Sequence, residues 1–172
     1  GNTSGATAGF SVVVDTTAPT LPAISSIIDD VGPNTGAIGN NQPTNDARPT
    51  LTGTTEANAR IDIYDNGIFV ISVTADGSGN WSYTPPTELA QGPHSFTITA
   101  TDSAGNTSGT SAPAAIVVDT VAPGIPVGLS VNATGTTLTG VAEPNSTVII
   151  TSNGGTVLGT ATANASGNFK IG

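Results

Sequence analysis

Cysteine is absent from the 172 residues, and tryptophan and histidine occur once each. Without cysteine no disulfide braces a small domain, so stability must come from elsewhere, such as packing between neighbouring domains or a bound metal. The same absence, with His94 the lone imidazole, disfavours a transition-metal centre. Only three basic residues are present, and Arg48, Arg60 and Lys170 are scattered, whereas a phosphate-binding surface needs them clustered. Nucleic acid is therefore not an expected partner. No run of about 18 apolar residues is found, so membrane insertion through a helix is not expected either. Nothing at the N-terminus resembles a signal peptide, but the chain begins abruptly, which leaves export open. No stretch holds the i, i+3, i+4, i+7 apolar spacing of an amphipathic helix.

What is present suits strands and turns. The chain has 22 Gly and 12 Pro, and Thr, Ser, Val, Ala and Ile dominate the rest. Short β-branched segments between frequent turns predict an all-β protein, and a β-sandwich needs only about 100 residues. Acidic residues outnumber basic ones 12 to 3, for a net charge of −9. Such a surface aids solubility and also gathers divalent cations.

The chain repeats itself. GNTSGATAGFSVVVDTTAP (1–19) returns as GNTSGTSAPAAIVVDTVAP (105–123), offset by 104 residues. LTGTTEANARIDI (51–63) returns as LTGVAEPNSTVII (138–150), offset by 87, and ADGSGNW (75–81) as ANASGNF (163–169), offset by 88. Similarity at a domain-length period indicates an array of like modules. Residues 1–14 read as the last strand of a preceding repeat, 15–118 as a whole repeat, and 119–172 as the first half of a following one. Both ends look cut, and the half repeat, lacking its last two strands, is expected to fray unless completed. The shorter second offset means that the whole repeat carries an insertion at about 28–46 that the next repeat lacks. A connection of that length is usually functional or disordered.

Seven strands are expected in the whole repeat, near 21–28, 49–54, 59–65, 68–74, 80–84, 94–101 and 112–118. Ile61 and Ile63 share one face, as do Phe96, Ile98 and Ala100. Asp65-Asn66-Gly67 signals a hairpin, and Asp76-Gly-Ser-Gly-Asn80 another. Trp81 is expected in the core. An odd number of antiparallel strands takes the chain in at one pole and out at the other, so repeats string end to end. At the entry pole this brings Glu56, Asp76 and Asp102 near the linker residue Asp15. At the exit pole it gathers Asp29, Asp30, Asp46 and Asp65 towards Asp119, leaving Asp62 and Glu88 as bystanders. Clustered carboxylates repel, two arginines do not balance two clusters, and Ca²⁺ takes six to eight oxygen ligands of the kind that Asp and Asn loops supply. The other reading is that these are ordinary turn residues, since Asp, Asn and Gly dominate turns for backbone reasons.

VVDTTAP (13–19) and VVDTVAP (117–123), LTGTTEANARIDIYDNG (51–67), GNWSYTPP (79–86) and TATDSAGNTS (99–108) resemble the bacterial Ig-like repeats of giant type I-secreted biofilm-associated and non-fimbrial adhesins. The resemblance implies tandem seven-stranded Ig-like β-sandwiches in a long protein outside the cell, at the bacterial surface. It also implies that neighbouring repeats of the same chain are the partners, and that Ca²⁺ stiffens the junctions between them. By the same resemblance the linker aspartates are Asp15 and Asp119, the glutamates of the loop between the second and third strands Glu56 and Glu143, the ATD-x-AGN aspartate Asp102, and the DDVG pair Asp29 and Asp30. The following repeat departs from the pattern, having no insertion and no ATD-x-AGN loop within these residues.

Three functions are compatible with this pattern. The first is a stalk or spacer in a surface adhesin, whose host or bacterial ligand is met by other parts of the protein. The second is a repeat that itself binds a glycan or another surface protein, with Tyr64, Phe69 or Tyr83 as a stacking platform, although each of these also suits a residue covering the sheet. The third is an accessory module of a secreted enzyme. Catalysis by this chain is not expected. No GxSxG, HExxH or glycine loop leading into a helix occurs, the carboxylates sit at poles, and His94 reads as a plain surface residue without a nucleophile motif beside it.

Overall fold

The computed structural model describes residues 1, 4–5, 9 and 11–172 and divides into two compact units, 1–120 and 121–172. Residues 2, 3, 6–8 and 10, which carry much of the expected strand over 1–14, lie outside the described residues; residues 11–22 belong to no strand. Among the described residues every regular element is a β-strand.

The first unit contains β1 (Ala23–Asp29), β2 (Gly36–Ala37), β3 (Gln42–Thr44), β4 (Thr50–Thr54), β5 (Arg60–Asp65), β6 (Ile68–Thr74), β7 (Asn80–Tyr83), β8 (Gly92–Thr101) and β9 (Ala114–Val118). One sheet has the order β2-β1-β4-β7 and the other β3-β9-β8-β5-β6. Strict alternation explains why the two sheets face each other. Ile61 and Ile63 of β5 pair with Ala100 and Ile98 of β8, and all four are buried. From the opposite sheet Ile27, Leu51, Trp81 and Tyr83 close the same core. Each such large apolar side chain contributes about 1.5–3 kcal/mol on burial, which lets a unit without disulfides hold together. The turn from β5 to β6 has positive φ at both Asn66 (49°) and Gly67 (79°), the backbone that the Asn-Gly pair favours.

The insertion is not a structureless loop. β2 folds back on the end of β1, with Asp29 opposite Gly36, and β3 then crosses to the other sheet and pairs in parallel with β9. The described residues of the first unit therefore form nine strands where seven were expected. The two extra ones are too short to show an alternation in sequence, and Pro43 within β3 reads as a strand breaker unless it sits at a sheet edge, where it does.

The second unit contains β10 (Val127–Val131), β11 (Leu138–Val141), β12 (Thr147–Thr151), β13 (Val157–Thr162) and β14 (Asn168–Ile171). They form sheets β10-β11-β14 and β12-β13 around a small core of Val148, Ala163 and Phe169. Fraying was expected of this half repeat; its five strands are each paired with a neighbour. Its turns copy those of the first unit. Gly79 and Gly167 both have φ above 80°, and a Cβ there would lie 2.2 Å from the Thr55 carbonyl oxygen and 2.5 Å from that of Ala142. Only glycine fits such a position.

Candidate functional site

At the exit pole of the first unit the carboxylates gather around Thr44. β1 ends on Asp29 and β3 ends on Thr44, whose hydroxyl donates to Asp29 Oδ2 at 2.6 Å. Asp29 Oδ1 accepts the Val31 N–H at 2.8 Å. The Asp46 N–H donates back to Thr44 Oγ1 at 3.1 Å, and Asp46 accepts the N–H groups of Arg48 (2.7 Å) and Asp30 (3.4 Å). The Asp119 N–H donates to the Thr44 carbonyl at 2.8 Å, so the chain leaves β9 beside the same threonine. It is the crossing of the insertion between sheets that brings Asp29, Asp30, Asp46 and Asp119 to one end.

Asp29 and Asp46 are only 6% and 3% exposed. Among the described residues the ion pairs are Arg60–Asp62 at 2.9 Å and His94–Asp65 at 2.6 Å, and neither involves these two carboxylates. Arg48 is close, but its Nε donates to the Pro85 carbonyl at 2.8 Å. Buried carboxylates without a counter-charge are costly, and hydrogen bonds offset only part of that cost. Beside them a cleft of about 520 Å³ is lined by Asp30, Asn45, Asp46, Arg48, Glu88 and Thr120 among others. Glu88, expected as a bystander, belongs to this cleft because the loop after β7 docks on it, with the Leu89 N–H bonded to the Ala47 carbonyl at 2.8 Å.

Asp65 does not join the group. Its Oδ2 lies 2.6 Å from His94 Nδ1, and its Oδ1 accepts the Ser95 N–H at 3.2 Å. His94, expected on the surface, is 7% exposed and stacked on Phe96 at 6.1 Å between ring centroids. Sequence alternation along β8 already puts His94 on the face of Phe96 and Ile98; its polar character masked that placement.

The entry pole is built differently. Asp102 Oδ1 accepts the N–H groups of Ala104 and Asn106, both at 2.9 Å, and Oδ2 accepts the Asn106 side-chain amide at 2.9 Å. That amide is the largest cause; desolvation opposes it, and the backbone N–H groups add to it, so that together they hold the Asp102 carboxyl below its ordinary pKa. Asn106 also donates to the carbonyl of Asp15 at 3.2 Å, so the entering linker lies against this loop, while Asp15 Oδ1 caps the Thr17 N–H at 3.0 Å. Glu56 lies in the turn between β4 and β5, where its carbonyl accepts the Ala59 N–H, and this turn bonds to the Asp76 loop through the Asn58 N–H. Asp76 Oδ1 accepts the N–H groups of Ser78 and Asn80 at 2.8 Å, and Asn80's N–H, then Ser78's, lower the Asp76 pKa. In the second unit Asn164 occupies the corresponding place and accepts from Ser166 (2.9 Å) and Asn168 (3.0 Å) in the same way. An amide does the work of the carboxylate there, so the charge of Asp76 is not what its turn requires. Glu143, in that unit, repeats the Glu56 turn with its carbonyl bonded to the Ser146 N–H.

Among the described residues no three of His, Cys, Asp and Glu converge closely enough to hold a metal by themselves. Asp29, Asp30, Asp46 and Asp119 share a pole through Thr44 and its neighbours, and Asp15 and Asp102 meet through Asn106.

Residues 20–120 match the family model described as a bacterial Ig-like domain, and residues 122–172 match the bacterial Ig domain model. The chain belongs to the bacterial Ig-like domain family. Among solved structures, a biofilm-associated protein BSP domain is 19% identical over 77% of this chain and 23% of its own, with a TM-score of 0.34. A tetra-tandem repeat from the extending region of a large adhesion protein is 21% identical over 89% of this chain and 39% of its own, at 0.35. A carbohydrate acetylesterase from Xanthomonas citri is 22% identical over 57% of this chain and 19% of its own, at 0.35. The chain thus spans well under half the length of these three proteins. No curated protein sequence matches it.

Proposed function

We propose that this bacterial Ig-like chain is a structural repeat, a stalk or spacer segment, of a large cell-surface adhesin acting in adhesion or biofilm formation, with Ca²⁺ as the cation that neutralises its exit pole. The observation that carries the calcium reading is the burial of Asp29 and Asp46 with no cationic side chain paired to either. The available donors are carboxylate, amide and carbonyl oxygens, a hard set that suits Ca²⁺. Because no three carboxylates converge among the described residues, Asp29 and Asp46 would hold the ion only together with amide and main-chain oxygens, with Asp30, Asn45, Glu88 and Asp119 at the same end of the unit. The ion would supply the missing positive charge and tie the residues that follow β9 to the insertion. Asp15, Glu56 and Asp102 at the entry pole form a weaker candidate set, because the Asp102 oxygens already serve its turn.

Direct glycan binding gains little support. Tyr83 lies in the core, and Phe69 meets Tyr64 edge to face at 73°, so the two rings offer no common flat platform. The reading of 1–14 and 119–172 as parts of neighbouring repeats belongs to the same proposal.

Calorimetric titration of the chelator-treated chain with Ca²⁺ tests the central point. Saturable binding that Asp46→Asn and Asp29→Asn each weaken by tenfold or more is the expected result. Heat no larger than dilution at millimolar Ca²⁺, with both variants behaving as the parent, would remove calcium from the reading and leave a spacer held by its cores alone.

A further inference from the structure

His94 sits between two acceptors. Its Nδ1 lies 2.6 Å from Asp65 Oδ2 and its Nε2 lies 2.9 Å from the Ala90 carbonyl oxygen. A neutral imidazole carries one N–H and can donate to only one of them; the imidazolium donates to both. The next residue, Gln91, grips the end of the unit with both of its side-chain atoms. Its Oε1 accepts the Thr120 N–H at 3.1 Å and its Nε2 donates to Thr120 Oγ1. The loop 84–91 is thus bonded through adjacent residues to the histidine and to the departing chain.

We propose that His94 is a proton-operated latch, in which the imidazolium bridges Asp65 and the loop at Ala90 and thereby fixes, through Gln91, the position of Thr120 where the chain leaves the unit. On deprotonation the remaining N–H stays with the Asp65 carboxylate, because a charged acceptor makes the stronger bond. A lone pair then faces the Ala90 carbonyl, and the loop loses that tie. Asp65, at the end of β5, is the charged group that faces the ring; the loop presents only a carbonyl, β8 the Phe96 ring, and β9 Ile116 opposite His94 in the ladder. Burial alone would lower the imidazole pKa, but the Ala90 carbonyl, the Asp65 hydrogen bond and the Asp65 charge together raise it above 6.5. The latch is therefore closed in mildly acidic surroundings and opens as pH rises through that raised value.

As the lone histidine of the chain, His94 can be read without ambiguity. The test is an NMR titration of the chain from pH 5 to 9, following the His94 ring together with the Gln91 side-chain amide and the Thr120 backbone amide. The expected result is an imidazole midpoint above 6.5, matched by the midpoints of Gln91 and Thr120, with both falling in Asp65→Asn. A Thr120 amide that stays flat while His94 titrates would overturn the latch, as would an imidazole midpoint at or below 6.5. A Thr120 response centred in the carboxylate range and unchanged in Asp65→Asn would also overturn it.

Discussion

Gly53 faces Trp81 across the ladder between β4 and β7, and replacing it with alanine tests the packing of the first core. A Cβ at Gly53 would stand 2.3 Å from the Ala23 carbonyl oxygen and 2.6 Å and 2.8 Å from Cζ2 and Cε2 of Trp81. Ordinary carbon contacts are about 3.5–4.0 Å, so the shortfall exceeds half an ångström at three atoms. The first of these is backbone in the adjacent strand and the others belong to a ring that is itself buried, so neither neighbour swings aside. Overpacking of this kind costs about 1–3 kcal/mol, against a gain of up to about 1 kcal/mol from the less flexible unfolded chain. With backbone involved the upper part of the range applies, and a net loss of about 2 kcal/mol lowers the melting midpoint by roughly 8–16 °C for a unit of this size. Trp81, the chain's lone tryptophan, reports from the site of the clash, and its fluorescence during thermal unfolding reads the first unit alone. Gly77→Ala, where an added Cβ meets nothing within 4 Å, is the control. A Gly53→Ala midpoint within about 2 °C of the parent would refute this account of the core.

Gly140→Ala in the second unit meets only side chains, those of Leu129 and Phe169 at 2.8 Å, and Leu129 is exposed enough to move; its effect, measured by amide hydrogen exchange of β11 and β14 within the chain, is expected to be smaller than that at Gly53. Asp76→Asn is expected to keep most of the Trp81-monitored midpoint, as Asn164 serves the equivalent turn, losing only the part that depends on the carboxylate charge, while Asp76→Ala lowers it further. The carboxyl pKa values of Asp76 and Asp102 are depressed in the folded state, so their stabilisation is present above about pH 3.8 and is lost as pH falls through the lower folded values; Asp102→Asn should flatten that acid limb in a fluorescence titration. The His94 pKa is raised instead, so its contribution is complete below pH 6.5 and disappears as pH climbs through the folded value; urea midpoints at pH 6 and pH 9 should differ less in Asp65→Asn than in the parent.

The seven strands with clear alternation or hairpin signals were legible in sequence, and each falls within two residues of its expected bounds. The internal repeat carried equally far: Asn58 and Asn145, related by the same offset as their flanking motifs, share a φ of 62° and 64°. What could not be read was anything decided by a crossing. β2 and β3 have two and three residues, below the length at which a period shows, and their pairing with β1 and β9 is tertiary. The placing of polar groups was half legible. Topology sorts acidic residues to poles, but not which will be buried: Asp29 ends a strand whose inward face includes Ile27, and that alternation carries it inside. His94 is the converse case, since its polar character suggests the surface while the alternation of β8 carries it inside.

The two poles separate the two roles an aspartate can have in such a protein. At the entry pole Asp76 and Asp102 lie in exposed turns, their oxygens occupied by N–H groups of their own loop, and the asparagine at 164 shows that the charge is dispensable for that task. At the exit pole Asp29 and Asp46 draw their hydrogen bonds from a hydroxyl and from backbone, yet both are buried, where a carboxylate is far costlier than an amide. Asparagine at those two positions would keep one acceptor oxygen where each carboxylate uses two, so the local hydrogen bonds themselves favour aspartate while its burial leaves a charge to be balanced. In the proposed reading a divalent cation supplies the counter-charge that these two buried carboxylates lack. In the calcium reading proposed above, the insertion is what creates that requirement. It supplies Asp30, Thr44 and Asp46, and the second unit, which passes from β10 to β11 without it, has no residues in their place. Calcium dependence of this kind should therefore follow the insertion from repeat to repeat, and the Ig-like framework alone should not confer it.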